Sequence, residues 1–171
     1  KKDLTEKQRG AIIYGHQRGD SLRTIAAAHS PGRMYWGCFS WFGVGPLVPL
    51  KSSANGVSHL EILQKYALPT IKKFPANNNR DYPILVQDNA RPHNVKEVQK
   101  FLNSNKVHVM KWLPQSPDLN PIENLWAEVK QSIRCKERPG NLIELDALVK
   151  KAWHEIPPEL CCALVTSMPN Q

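Results

Sequence analysis

The sequence has no long apolar run, no paired cysteines and no N-terminal leader pattern. Its longest apolar runs, such as Ile84-Leu85-Val86, extend over only a few residues, whereas a helix that spans a bilayer needs about 20. No basic segment followed by an apolar segment marks a secretory signal. The four cysteines form no Cys-x-x-Cys pair, so neither a zinc site nor a disulfide framework is indicated. We therefore expect no membrane partner and a reducing compartment, the cytosol or the nucleus.

The composition is that of an ordinary globular chain. Of 171 residues, 41% are hydrophobic and 22% are charged, which excludes wholesale disorder. The length allows one compact domain, or one domain with a small appendage. Because the chain begins at Lys1 and not at a methionine, we expect a processed product or a fragment.

The net charge of +8 is unevenly distributed, and most of the basic excess lies before residue 96. A polyanion such as DNA is therefore a candidate partner of the first half. Charge alone is equally compatible with a soluble basic surface that binds nothing.

The first 30 residues have the pattern of an incomplete helix-turn-helix. Thr5 can cap a helix over residues 5–18, and Gln8 completes its capping pattern. A second short helix is predicted through residues 25–28. The third, DNA-reading helix does not follow, because Ser30-Pro31-Gly32 breaks the pattern.

The remaining sequence alternates strand and helix patterns, which predicts an α/β fold. The aromatic-rich segment at residues 34–39 and the apolar run at residues 47–50 predict the two strands of a hairpin. Pro49 indicates that the second strand lies at a sheet edge. A buried strand at residues 84–87, a helix and a strand at residues 107–112 predict a parallel unit. Further helices are predicted near residue 60, after Asn120, after Asn141 and after Pro157.

Two carboxylates in this pattern are candidate metal ligands. Asp88 follows the buried strand, and Glu123 lies in the first turn of the helix that Asn120 caps. A strand end and a facing helix start can supply the hard oxygen ligands that a divalent cation needs. Each residue also has a structural alternative: Asp88 can form an Asx turn, and Glu123 can complete a capping box with Asn120.

The residues around both carboxylates resemble the catalytic domain of Tc/mariner-type DNA transposases. The resemblance is carried by the segments VQDNARPH, residues 86–93, and WLPQSPDLNPIENLW, residues 112–126. The interval of 34 residues between Asp88 and Glu123 is that of the Tc branch of the family. The strand at residues 36–39, the helix near Leu60 and the segment 153–157 are similar to the same domain.

This resemblance implies an RNase H-like (retroviral-integrase-like) fold in which three acidic residues hold two Mg²⁺ or Mn²⁺ ions. The ions would activate water, and later a DNA 3′ hydroxyl, for in-line attack on a phosphodiester. Asp88 and Glu123 match the second and third acids, and His93 and Asn89 match supporting positions. The resemblance further implies transposon-end DNA as the partner and the nucleus as the location, and it is compatible with a homodimer.

The first acid of the family has no counterpart that the sequence pattern identifies. Every acidic residue before Asp88 lies in a predicted helix, turn or polar loop, with no strand leading into it. We therefore expect a helix-turn-helix remnant at residues 1–30 and, at residues 31–171, a catalytic domain that lacks its first, central strand. In that case the hairpin closes against the Asp88 strand or the sheet stays split, and stability is marginal.

Two functional consequences follow from these absences. Two carboxylates hold one cation weakly rather than two, so we expect little or no DNA cleavage. Base readout is impaired without a recognition helix. Non-specific DNA binding would then depend on six cations: Lys1, Lys2, Lys7, Arg9, Arg18 and Arg23. The alternative is that these cations form only a solvated helix face. The sequence predicts a catalytically impaired transposase, with a non-catalytic DNA-associated or interaction protein, or an inactive gene remnant, as alternatives.

Overall fold

The computed structural model describes residues 34–50, 55–73, 84–111, 120–134 and 139–168, and residues 12–17 by their backbone. These residues form the strands β1 (Ile12–Gln17), β2 (Tyr35–Ser40), β3 (Gly43–Pro49), β4 (Ile84–Val86) and β5 (His108–Val109). The five described strands make one mixed sheet in the order β3-β2-β1-β4-β5. Strand β2 is antiparallel to β1 and β3, whereas β1, β4 and β5 are parallel. This arrangement confirms the α/β class and the predicted parallel unit.

The structure corrects the prediction that the central strand is missing. Residues 12–17, which the sequence pattern assigned to a helix over residues 5–18, form β1 between β2 and β4. All six residues of β1 pair with β2, and Ile12 and Ile13 pair with Leu85 and Val86 of β4. The helical capping pattern is overridden because β1 supplies partners to backbone groups that both neighbouring strands would otherwise leave unpaired. The segment therefore belongs to the sheet and not to a helix-turn-helix, and the sheet is not split.

The predicted hairpin is confirmed, with β3 at the sheet edge. The turn returns through Gly43, whose φ of 128° lies in the region that favours glycine. Two prolines, Pro46 and Pro49, lie in β3. A proline has no N–H to donate, and an edge strand tolerates this because it has no second neighbouring strand that needs the hydrogen bond.

The predicted helix near Leu60 begins at a capping box and contains a π-helical turn. Helix α1 (Gly56–Ile62) is followed by the π-helical segment Leu63–Ala67 and by α2 (Leu68–Lys73). Pro69 in α2 has no N–H, and its ring would collide with the carbonyl of Lys65 in a regular α-helix. A π turn at this point relieves that collision by widening the helix.

Four further predicted helices are also present, whereas the short helix predicted through residues 25–28 lies outside the described residues. The four are α3 (Lys96–Ser104), α4 (Ile122–Arg134), α5 (Leu142–His154) and α6 (Pro158–Ser167), and a 3-10 turn at Arg91–Asn94 precedes α3. Helix α5 begins at the predicted cap, where Asn141 Oδ1 accepts a 2.9 Å hydrogen bond from the Glu144 amide. None of the helices in the described part of the chain has the length and hydrophobicity that a bilayer crossing requires.

Helices cover both faces of the sheet, and each face has its own apolar core. On one face Tyr35 and Phe39 of β2 pack with residues of α4, α5 and α6. On the other face Trp36 and Cys38 pack with residues of α1, the π segment and α3. Successive residues of β2 thus enter opposite cores, and the strand joins three layers.

Candidate active site

Asp88 lies two residues beyond the carboxyl end of β4. Its Oδ1 accepts a hydrogen bond of 3.0 Å from the backbone amide of Ala90. The Asx turn that the sequence left open as an alternative is therefore formed. The turn leaves part of the carboxylate accessible to solvent, since 46% of the Asp88 side chain is exposed.

His93 holds the same carboxylate from the side of the protein interior. Its Nδ1 lies 2.8 Å from Asp88 Oδ1 and 2.9 Å from the Asp88 carbonyl oxygen. Because both oxygens are acceptors, Nδ1 carries the proton and donates. Only 3% of the His93 side chain is exposed, and its carbonyl accepts a 2.9 Å hydrogen bond from Gln99 Nε2 of α3. His93 thus links Asp88 to the helix that follows.

Glu123 lies in the first turn of α4. The start of this helix is held by the buried Asn120, whose carbonyl accepts a hydrogen bond from the Glu123 amide at 3.1 Å. Asn120 Oδ1 also lies 3.5 Å from the Ile122 amide. This geometry agrees with the predicted cap at Asn120.

The electrostatics of Glu123 connect it with Asp88. Partial burial raises the pKa of Glu123, the charge of Lys130 lowers it, and the charge of Asp88 raises it. The Asp88 carboxylate is therefore close enough to make ionisation of Glu123 less favourable. The two carboxylates that the sequence singled out thus interact electrostatically, and their role as joint metal ligands stays a prediction.

Helix α4 is held against the sheet by two stacked tryptophans. Trp126, one turn after Glu123, stacks on Trp153 of α5 with ring centroids 4.9 Å apart. Both rings lie over Gly37 of β2, where an added Cβ would come within 2.9 Å of Trp153 and 3.1 Å of Trp126. The missing side chain of Gly37 lets these rings approach the sheet, and their packing sets the position of Glu123.

No carboxylate is supplied by the neighbouring strand β1. Its sequence is Ile-Ile-Tyr-Gly-His-Gln, and Ile13 pairs with Val86 of β4. In the part of the chain that the structure describes, no three His, Cys, Asp or Glu side chains form a group that could hold a metal ion.

The remaining predicted site residues have different outcomes. Asn89 is exposed, and its carbonyl accepts a 3.1 Å hydrogen bond from the Asn94 side chain. The six cations predicted to contact DNA, Lys1, Lys2, Lys7, Arg9, Arg18 and Arg23, lie outside the described residues. Their role stays a prediction.

Sequence reasoning missed two residues that interact with the predicted site residues. Lys130, whose charge acts on Glu123, follows it by seven residues, and this spacing on one helix face was the available signal. His59 of α1 lies with its ring centroid 4.3 Å from that of His93. Its signal was weaker, since the two histidines are far apart in the sequence and come together only in the fold.

A family model described as "DDE superfamily endonuclease" matches residues 53–146, more than half of the chain. The Tcb1 transposase of Caenorhabditis briggsae is 32% identical over 138 residues, which cover 81% of this chain and 49% of that protein. The Tc1 transposase of Caenorhabditis elegans is 30% identical over 141 residues, with the same two shares of 81% and 49%. The chain thus spans about half the length of these curated relatives.

The fold is similar to that of the Mos1 mariner transposase catalytic domain. Its crystal structure superposes with a TM-score of 0.79 at 17% identity, over 95% of this chain and 78% of that one. The Mos1 catalytic domain has also been solved with Mg and with Mn, and Mos1 in a paired-end complex with a left transposon end. The predicted RNase H-like fold is confirmed by this likeness. The chain belongs to the DDE superfamily endonuclease family, and it resembles the transposases of the Tc1/mariner type within it.

Proposed function

We propose that this protein is a transposase-derived domain in which Asp88 and Glu123 hold one Mg²⁺ or Mn²⁺ ion next to bound DNA. The supporting observation is the placement of two carboxylates at a strand end and a helix start, with 46% of the Asp88 side chain exposed and its charge acting on Glu123. Two carboxylates that repel each other in this way gain stability when a cation lies between them.

The donor set fits a hard divalent cation. Both ligands are carboxylates, one from a strand end and one from a helix start, and the exposure of Asp88 leaves a path from solvent. A bound ion would supply Lewis-acid stabilisation of charge on a phosphodiester oxygen. His93 fixes the Asp88 carboxylate through Nδ1, and Asn120 fixes the turn that carries Glu123.

DNA is the proposed partner, and the nucleus is the proposed location. The net charge of +8 favours a polyanion. A paired-end complex with transposon DNA is known for the structurally similar Mos1 transposase. We expect binding by this chain to be non-specific and to weaken steeply with salt.

We further propose that the site is impaired in strand cleavage. Two-metal phosphodiester chemistry needs cations on both the attacking and the leaving oxygen, and β1 adds no carboxylate to Asp88 and Glu123. Two carboxylates neutralise one divalent ion and leave a second under-neutralised. A non-catalytic DNA-associated protein is the second candidate function, and the same absence in β1 favours it.

Calorimetric titration of the metal-free chain with Mn²⁺ tests the metal site. We expect one weak site per chain, lost in Asp88→Asn and in Glu123→Gln and retained in Glu159→Gln, which neutralises an exposed acid on α6. Binding that survives both site substitutions would refute the assignment of these ligands. A nicking assay on supercoiled plasmid with Mn²⁺ tests the impairment, and cutting that Asp88→Asn lacks would show that the site is active.

A further inference from the structure

The ring of His59 packs against the ring of His93 inside the protein. Their centroids are 4.3 Å apart and the planes are tilted by 39°. Both side chains are almost fully buried, with 1% of His59 and 3% of His93 exposed. His59 belongs to α1, on the sheet face opposite to α4, and α1 carries neither carboxylate.

We propose that His59 is a positioning residue that acts on Asp88 through His93, which deepens the metal site proposed above and rests on it. His93 Nδ1 must point at Asp88 Oδ1 and at the Asp88 carbonyl at the same time, at 2.8 and 2.9 Å. One ring orientation satisfies both bonds. The His59 ring limits rotation of the His93 ring away from that orientation.

The attachment of α1 next to His93 supports this assignment. An added Cβ on Gly56 would meet Val95 Cγ2 at 2.6 Å, so α1 lies directly against the residues that follow the 3-10 turn. The start of α1 is fixed by a capping box, in which the Ser58 amide donates to Asn55 Oδ1 at 2.9 Å and the Asn55 amide donates to Ser58 Oγ at 3.0 Å. The element that carries His59 is therefore held close to the turn that carries His93.

The first test measures Mn²⁺ affinity by calorimetry. We expect His93→Phe, which keeps a ring but lacks the donor, to weaken binding by about tenfold or more, as loss of an outer-shell partner commonly does. His59→Ala should weaken binding by about threefold or more on the same grounds, and His59→Phe, which keeps a ring in contact, should restore most of it. Ile62→Ala is the matched control, because it removes a buried side chain of α1 in the same core and should lower the melting temperature without changing affinity.

The second test needs no metal. The ¹⁵N spectrum of the His93 ring should show a single tautomer protonated at Nδ1 in the wild-type chain and in His59→Phe, and a mixture in His59→Ala. If wild type binds Mn²⁺ but His59→Ala binds equally well, the positioning role is wrong and the metal site stands. If wild type binds no Mn²⁺, the assignment of the metal site is wrong. The positioning role of His59 is then tested by the spectrum alone, and an unchanged tautomer of His93 in His59→Ala would overturn that role.

Discussion

Asp88 follows the end of a strand and Glu123 lies at the start of a helix, and the two carboxylates are held in different ways. The Asp88 carboxylate is fixed directly by the Ala90 amide and by the buried ring of His93. Glu123 is positioned at a distance, because its helix is docked by Trp126 against Gly37 and Trp153. The histidine side, which consists of His93 and His59, thus controls the orientation of the Asp88 carboxylate. The tryptophan side, which consists of Trp126, Trp153 and Gly37, controls the placement of helix α4.

This difference separates local from global effects of substitution. Changes on the tryptophan side remove or overfill a large part of an apolar core and should lower the free energy of unfolding. Changes on the histidine side should alter cation binding with less effect on the fold.

Trp126→Ala should destabilise the protein by about 3–5 kcal/mol, because it leaves a cavity beneath α4. Trp126→Phe should be less costly, since the Trp126 indole N–H is buried and finds no hydrogen-bond partner among the described residues. Urea unfolding followed by far-UV circular dichroism measures both values. Equal losses for the two variants would contradict the cavity account.

Gly37→Ala should cost about 1–3 kcal/mol through overpacking. The new methyl group would approach Trp153 Cη2 at 2.9 Å and Trp126 Cη2 at 3.1 Å. Gly140→Ala is the matched control, because its methyl group would meet only Glu144 Oε2, at 3.4 Å, and we expect a change within about 0.5 kcal/mol. Similar melting temperatures for the two variants would show that the tryptophan rings yield to the methyl group.

Tyr35→Phe should cost about 1.5 kcal/mol, the value typical of a hydrogen bond to a charged group. The buried Tyr35 hydroxyl donates to Asp146 Oδ1 of α5 at 2.5 Å and so ties β2 to that helix. The double variant with Asp146→Asn measures the coupling between the two groups in a mutant cycle. Additive losses would show that this bond does not contribute to docking of α5.

Lys130→Met should raise the pKa of Glu123, because it removes the positive charge that lowers it. The folded-state pKa of Glu123 is already above its ordinary value, so the stabilisation linked to its protonated form is present at low pH and is lost as the pH rises through that pKa. The free energy of unfolding can be measured across this pH range, with Glu123→Gln as the reference that lacks the titrating group. The loss of stability should extend to higher pH in Lys130→Met than in wild type. The same pH dependence in Lys130→Met and in wild type would show that the charge of Lys130 does not act on Glu123.

The sequence predicted much of the fold, and it singled out Asp88 and Glu123, whose role as metal ligands stays a prediction. The hairpin, the Asp88 strand and the helices from Gly56 onward carry strong local periodicity, caps or turn residues, and they form as predicted. Residues 12–17 were assigned wrongly, because their helical capping signal is local whereas strand β1 depends on partners far along the chain. Contact of His59 with His93 was beyond prediction for the same reason, since only tertiary packing brings the two rings together.

The central claim is that Asp88 and Glu123 face each other as two ligands of one cation site, and the pKa of Glu123 tests it most directly. Carboxyl ¹³C NMR can follow the titration of Glu123 in the metal-free wild type, in Asp88→Asn and in the control Glu159→Gln. The account predicts a lower pKa of Glu123 in Asp88→Asn, because the charge that raises it is removed, and no change in the control. An unchanged pKa in Asp88→Asn would mean that the two carboxylates do not share a site, and it would contradict the account.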